Sequence, residues 1–278
     1  MSPFVELVAV WVAIVAYAAS SIAFTVGTIF GKKNAEDVAV KLAWVGLGAH
    51  LVSIASRWVR IGHGPYLGFY EVSSLLAFMA VGGFLLVVRR YPGVRIAGVA
   101  IMPVAFLILG ASLLVNNEAQ TVTGSLASFW LVIHVIFANL AFGAYAVSFV
   151  LAVAFLMKDA GEGHRWQTLL DRFPQQDELD ALTIRFVGAG FVFQGIMIAS
   201  GSIWANEAWG RYWGWDAVET WSLIAWAIYA VYLHLTLTLG WRGRKAAWVA
   251  ILALPVSVFS LLGVPIAYDS IHGAYLKL

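Results

Sequence analysis

Residues 128–157 read SFWLVIHVIFANLAFGAYAVSFVLAVAFLM, thirty residues without one Asp, Glu, Lys or Arg. As a helix rising 1.5 Å per residue the run is about 45 Å long, more than the roughly 30 Å of hydrocarbon in a bilayer. A barrel strand needs only about 9–11 residues, and lipid tolerates just helices and closed barrels because backbone amides must be satisfied internally. The run therefore reads as a transmembrane helix. Seven further runs at 4–30, 37–58, 70–88, 94–114, 181–203, 219–240 and 246–268 read the same way. The expected fold is an all-α polytopic membrane bundle of about eight helices, forming one domain over 1–278.

Composition agrees. The chain is 62% hydrophobic and 12% charged, about half the roughly 25% charge of a soluble domain, and its mean hydropathy is +0.84. Net charge of +2 gives no electrostatic footprint for nucleic acid. Cysteine is absent, which removes disulfides, thiol nucleophiles and thiolate-bound metals. Glu6 replaces the basic residues of a signal peptide and the first apolar run continues to about Phe30, so this run reads as a retained helix. Gly27 and Gly31 form a GxxxG that permits close helix approach.

Basic residues set the orientation. One set of connections carries Lys32, Lys33, Lys41, Arg89, Arg90, Arg95, Lys158, Arg165, Arg172, Arg185, Arg242, Arg244 and Lys245, 13 of the 17 Lys and Arg; the other face has Arg57, Arg60, Arg211 and Lys277. The positive-inside rule puts the first set in the cytoplasm and both termini outside. Within the long cytoplasmic connection 158–180, Trp166, Leu169, Leu170 and Phe173 recur at helical spacing before Pro174. They predict a short amphipathic helix on the inner membrane surface.

Against this apolar background one stretch stands out. Residues 204–226 read WANEAWGRYWGWDAVETWSLIAW and hold six of the thirteen tryptophans. Interfacial belts account for a few indoles per helix end, not for six interleaved with Gly210, Gly214, Asp216 and Glu219. Trp204, Trp209, Trp213, Trp215 and Trp221 offer an aromatic surface for a large flat ligand, and 204–219 is expected as an outward-facing loop. Asp216 and Glu219 open the seventh run, where the helix dipole favours negative charge and capping is the simpler role.

Three of the six histidines flank this stretch or lie deep. His134 is near the outer end of the fifth run, and His272 follows the eighth, in YDSIHGAY. His234 is 15 residues past Glu219, about 22 Å down the seventh helix. Ionisable groups at depth are functional candidates, and neutral imidazole is the usual axial ligand of haem iron. A structural hydrogen bond between helices is the competing role for each. In RWVRIGHGPYLGFYE, residues 57–71, Arg57 and Arg60 match a carboxylate such as a haem propionate, or snorkel to the interface. His63 lies in this outer loop and His50 in the second run, with roles open; His164, on the linker, reads as solvated.

These residues resemble the tryptophan-rich (WWD) haem-handling family of cytochrome c biogenesis, specifically the CcsA (ResC) family of System II cytochrome c synthetases. WANEAWGRYWGWDAVETWSLIAW carries the likeness, together with WLVIHV, YLH, SIHG and the segment around His63. The resemblance implies an integral protein of the bacterial cytoplasmic membrane or the thylakoid that moves haem b outward. It would present that haem for thioether attachment to the CxxCH of an apocytochrome c, as a holocytochrome c synthase working with a CcsB (ResB) subunit. A thioredoxin-like reductant of the apocytochrome thiols is a further implied partner. By position, His134 and His272 match the external haem-iron ligands and His234 an inner one, so that haem would pass from His234 to the outer pair. Two other readings remain open: a System I protein of the CcmC type, and a haem-b electron-transfer subunit, for which His50 with His234 would be the candidate pair.

Overall fold

The computed structural model describes residues 3–114, 124–160, 170–171 and 173–271. Among them there is no strand, and eight segments are long and apolar enough to cross a membrane. The chain is a polytopic membrane helix bundle, as the apolar runs predict, and every span lies within a few residues of its expected place. The chain forms two compact units, Met1–Thr121 and Val122–Lys277.

The first unit holds α1 (Pro3–Ile29), α2 (Lys33–Ile61), α3 (Gly68–Arg90) and α4 (Gly98–Ser112), the last preceded by a 3-10 segment at Pro92–Ala97. α1 packs along α2 and against α4, and α3 packs against both α2 and α4, closing a four-helix ring. Small residues line its seams: Ala13, Ala39, Ala43 and Ala77 are fully buried. In lipid, where apolar burial alone gives no drive for helices to associate, close backbone approach supplies the dispersion contacts. Leu7, Trp11, Val15 and Ile22 form an exposed apolar face of α1, as expected for a helix with one side toward acyl chains. The GxxxG divides its labour. A Cβ on Gly27 would sit 2.6 Å from Glu36 Cγ, so this glycine permits the α1–α2 approach. Gly31, at φ +64°, makes the turn.

The second unit holds α5 (Phe129–Asp159), α6 (Gln176–Trp209), α7 (Ala217–Leu233), α8 (Arg244–Val258) and the short α9 (Val264–Ala267). α5 packs on α6 and α8, and α7 packs on α6 and α8, giving a second ring. π turns follow α7 at His234–Thr238 and α8 at Phe259–Gly263; such irregularities recur at functional positions. Most of the amphipathic helix expected in the 158–180 linker, including Trp166 and Leu169, lies outside the described residues. Leu170 is buried, Lys158 Nζ donates to the Phe173 carbonyl at 3.0 Å, and α6 begins by Gln176.

At the tryptophan stretch the helices run further than the sequence reading expects. α6 has 34 residues and is therefore about 51 Å long, so it continues through Trp204 to Trp209. It stops because Gly210 adopts the left-handed conformation, its N–H donating to the Asn206 carbonyl at 2.9 Å. α7 starts at Ala217 behind a capping box formed by Asp216 and Glu219. Only residues 210–216 are loop.

Candidate functional site

A cavity of about 140 Å³ opens in the second unit among α5, α6, α7, α8 and the 210–216 loop, and His134, Trp204, Trp213 and Glu219 are among its walls. α5 contributes His134 near its N-terminal end, where Ser128 caps the helix by accepting from Trp130 N–H at 3.1 Å. The His134 Nδ1 lies 2.9 Å from the Met197 carbonyl oxygen of α6. A carbonyl only accepts, so Nδ1 carries the proton, and in the neutral ring Nε2 is the basic, metal-ligating nitrogen. Gly201, one turn beyond Met197, makes this placement possible: a Cβ there would lie 2.5 Å from His134 Nδ1. Sequence reasoning missed Gly201, since a glycine inside an apolar helix carries no sign of which ring will lie against it.

Tyr145, Gln194 and Ser222 line the cavity and are joined by hydrogen bonds, with further aromatic pairs packed among the same helices. Tyr145 Oη donates to Gln194 Oε1 at 2.8 Å, and Gln194 Nε2 donates to the Ser222 carbonyl at 3.0 Å. Tyr145 stacks on Tyr229 with centroids 3.5 Å apart. Trp226 stacks on Phe191 at 4.6 Å while its Nε1–H donates to the Phe191 carbonyl at 3.0 Å.

The five tryptophans singled out in the sequence separate by environment. Trp204 is 3% exposed and meets Trp209 edge to face at 4.9 Å. Trp221 packs its edge on Phe259. Trp213 lines the cavity and touches Trp215 at 5.8 Å. Trp215 is 70% exposed and sits at φ +59°, a left-handed conformation that bulky residues rarely adopt. Glu219 holds it there: one carboxylate oxygen accepts Gly214 N–H at 2.8 Å and Asp216 N–H at 3.1 Å, on either side of Trp215.

Asp216 does more than cap α7. Its Oδ2 accepts from Val218 N–H at 3.2 Å and from Ser270 Oγ at 2.6 Å, and its Oδ1 accepts from Ile271 N–H at 3.2 Å. His272, the next residue in the chain, lies outside the described residues. His234 is exposed at the start of the π turn after α7, at the far end of that helix from Glu219.

The first unit places the remaining candidates. Arg57 is buried and bonds Glu6 Oε1 at 3.1 Å and Glu71 Oε1 at 2.9 Å; Arg60 bonds Glu6 Oε2 at 2.8 Å. Glu71 also accepts from Leu67 N–H at 3.1 Å, and Arg57 lies over the Tyr70 ring. Where the sequence points these arginines at a ligand's propionate, the fold gives them two carboxylates of the chain itself, from partners that spacing alone could not pair. Arg57→Ala is expected to leave buried carboxylate uncompensated and lower stability by about 3–5 kcal/mol. Arg60, part-exposed and sharing Glu6 with Arg57, is expected to contribute under about 1 kcal/mol. Thermal unfolding of the two variants in detergent checks the contrast, and equal losses would contradict it.

His63 is buried, with Nδ1 2.9 Å from the Gly64 carbonyl. His50 has both ring nitrogens engaged, Nδ1 with Tyr17 Oη at 3.2 Å and Nε2 with Ser74 Oγ at 2.8 Å. That arrangement satisfies a buried imidazole as packing and leaves no nitrogen for iron unless a bond breaks.

Known proteins resemble this chain in sequence and in fold. Residues 42–272 match the family described as cytochrome C assembly protein. A cytochrome c biogenesis protein CcsA of Parasynechococcus marenigrum (strain WH8102) is 34% identical over 241 residues, covering 78% of this chain and 79% of its own. The protein of the same name from Chlamydomonas reinhardtii is 32% identical over 251 residues, covering 86% and 69%. Among solved structures, a cytochrome c heme lyase CcmF superposes with a TM-score of 0.71 at 17% identity over 99% of this chain. This chain spans 48% of that protein's length, and the likeness is one of fold.

Proposed function

Because the chain belongs to the cytochrome c assembly protein family, with CcsA proteins among its relatives, and so serves cytochrome c biogenesis, we propose that its second unit holds haem b for attachment to apocytochrome c. The observation that carries this reading is the His134 imidazole, oriented by the Met197 carbonyl so that Nε2 is the ligating nitrogen, in an aromatic-walled cavity. Haem is the substrate. His134 binds its iron on one side and His272 on the other.

The cavity is smaller than the roughly 300–1,000 Å³ of ordinary ligand pockets. It therefore takes one edge of the macrocycle and leaves the rest outside. Trp213 and the exposed Trp215 stand at that rim, where they pack on the ring face and shield it from water. The vinyl groups remain accessible to the two thiols of a CxxCH segment. Each thiol adds across one vinyl: an S–C bond forms, the vinyl π bond is lost, and the thiol hydrogen goes to the second vinyl carbon. The absence of cysteine from the chain is consistent with thiols that come only from the apocytochrome. The chain's contribution is orientation of the haem, which removes the entropic cost of the encounter.

The 13-to-4 split of basic residues supports an outward placement of this site, with both termini on the same side. His234 is exposed, its backbone bonded within the helix and its ring in no hydrogen bond among the described residues, which favours a neighbouring CcsB-type membrane subunit as the source of a second ligand at an inner haem site. A haem-b electron-transfer role is less well supported, because His50 is committed to Tyr17 and Ser74.

The relay makes a specific prediction. In protein purified together with such a subunit, His234→Ala is expected to lower the haem carried from the cell while leaving added haemin fully able to form the six-coordinate complex at His134. Visible spectra before and after addition test this. Loss of the six-coordinate complex with added haemin would place His234 at the same site as His134 and contradict two separate levels.

A further inference from the structure

We propose that Asp216 is a positioning residue for haem ligation: its carboxylate ties the segment entering His272 to the rim of the His134 cavity. The inference rests on the reading that His134 and His272 share the iron.

An aspartate that only caps a helix needs one acceptor for the first-turn amides. Asp216 supplies that to Val218 through Oδ2. Its remaining capacity is turned to residues 54 and 55 positions away, with Oδ2 also accepting from the Ser270 hydroxyl and Oδ1 from the Ile271 amide. These two residues follow α9 and directly precede His272 in the chain. The other end of the tether is equally fixed. Asp216's own amide donates to Glu219, which lines the cavity with His134. A continuous set of hydrogen bonds thus runs from the cavity wall, through Glu219 and Asp216, to the residue next to the second ligand. The ligand on α5 is held rigidly by its helix and by Met197. Ser270 and Ile271, which lead to the second ligand, lie past the end of α9, and the Asp216 carboxylate fixes them. Outer-shell groups of this kind fix where a metal ligand sits without touching the metal.

The test uses the full chain, purified with its membrane partner subunit where that is needed for recovery, and loaded with haemin. Asp216→Asn keeps a carbonyl oxygen for the α7 cap but loses the carboxylate. Ser270→Ala removes one tether bond and leaves the cap untouched. The double variant is expected to bind haemin about 10–100-fold more weakly and to show five-coordinate haem where the parent shows six-coordinate. Added imidazole is expected to restore the six-coordinate spectrum, as it should for His272→Ala. Ser270→Ala alone is expected to shift the spectrum the same way with an unchanged melting temperature, which a purely structural role would not produce. If His272→Ala loses the six-coordinate spectrum and the double variant keeps it in full, the positioning role is overturned and the ligand assignment stands. If His272→Ala itself keeps that spectrum, the ligand assignment falls and the positioning role with it.

Discussion

Replacing His134 with alanine is expected to weaken haem binding at the cavity by more than about 100-fold, because loss of an outer-shell partner already costs about 10–100-fold and this change removes the proposed ligand itself. The remaining haem should be five-coordinate, and cytochrome c maturation in a host dependent on this protein should stop. The expectation follows from the chemistry of the cavity wall. Gln194 is tied to Tyr145 and Ser222, and Glu219 to the loop amides, and neither side chain carries a basic nitrogen that could replace the imidazole on iron. Free imidazole should refill the space left by the ring and restore the six-coordinate spectrum. The variant should fold, since His134 is only part-buried and the Met197 carbonyl that faces its Nδ1 also accepts from Ser200 Oγ at 3.1 Å. An alanine variant that matures cytochrome c at the parent rate would remove His134 from the mechanism.

The second large effect is expected at Gly201, a residue with no chemistry of its own. A methyl group there would lie 2.5 Å from Nδ1 and 2.8 Å from Cε1 of His134. The neighbour is a ring held by a hydrogen bond, so the imidazole must swing away and lose the Met197 carbonyl. Gly201→Ala is expected to weaken haem binding by about 10–100-fold, the range for loss of an orienting bond to a metal ligand, and Gly201→Val by more. Gly188 is on the same helix and a methyl there meets nothing within 4 Å. Gly188→Ala should leave haem binding unchanged and add slightly to helix stability, by about 0.5–1 kcal/mol. Titration with haemin separates the two. Equal affinities for Gly201→Ala and Gly188→Ala would mean that the contact with α6 does not set the ring's position.

The two positions show how far the sequence could be read. His134 stands out in the sequence as the one imidazole in thirty residues without a charged side chain, and the structure places it in the cavity wall. Gly201 was not legible there, because its role depends on a ring 67 residues away on another helix. The same limit hid the partners of Arg57. Glu6 is 51 positions distant, and only the closing of α1 on α2 and α3 brings the carboxylates to it. The spans were legible because a bilayer imposes a length and an apolar composition that few other structures share. Their ends were less so. Residues 204–209 read as loop because Trp, Asn and Glu interrupt the apolar run, yet hydropathy marks where lipid ends and not where hydrogen bonds end. α6 continues past that boundary to the first residue that takes a left-handed conformation cheaply, Gly210. The capping box at Asp216 and Glu219 is visible as an acid pair at the right spacing. That Asp216 also binds Ser270 and Ile271 is a tertiary fact with no local signature.

Trp215 shows what the loop holds in readiness. A bulky residue in the left-handed region is strained and persists only where its surroundings hold it. Glu219 does so through the amides on both sides. The indole is thus displayed at the rim at some cost to the loop, which fits a surface for a flat ligand better than an interfacial anchor.

His134 and His272 are proposed together to ligate the haem. Visible and resonance Raman spectra of haemin bound to the full chain, compared with the His134→Ala/His272→Ala double variant, test it most directly. The expected result is a low-spin, bis-imidazole spectrum in the parent that is absent from the double variant and returns with added imidazole. A low-spin bis-imidazole spectrum that survives loss of both histidines would contradict it.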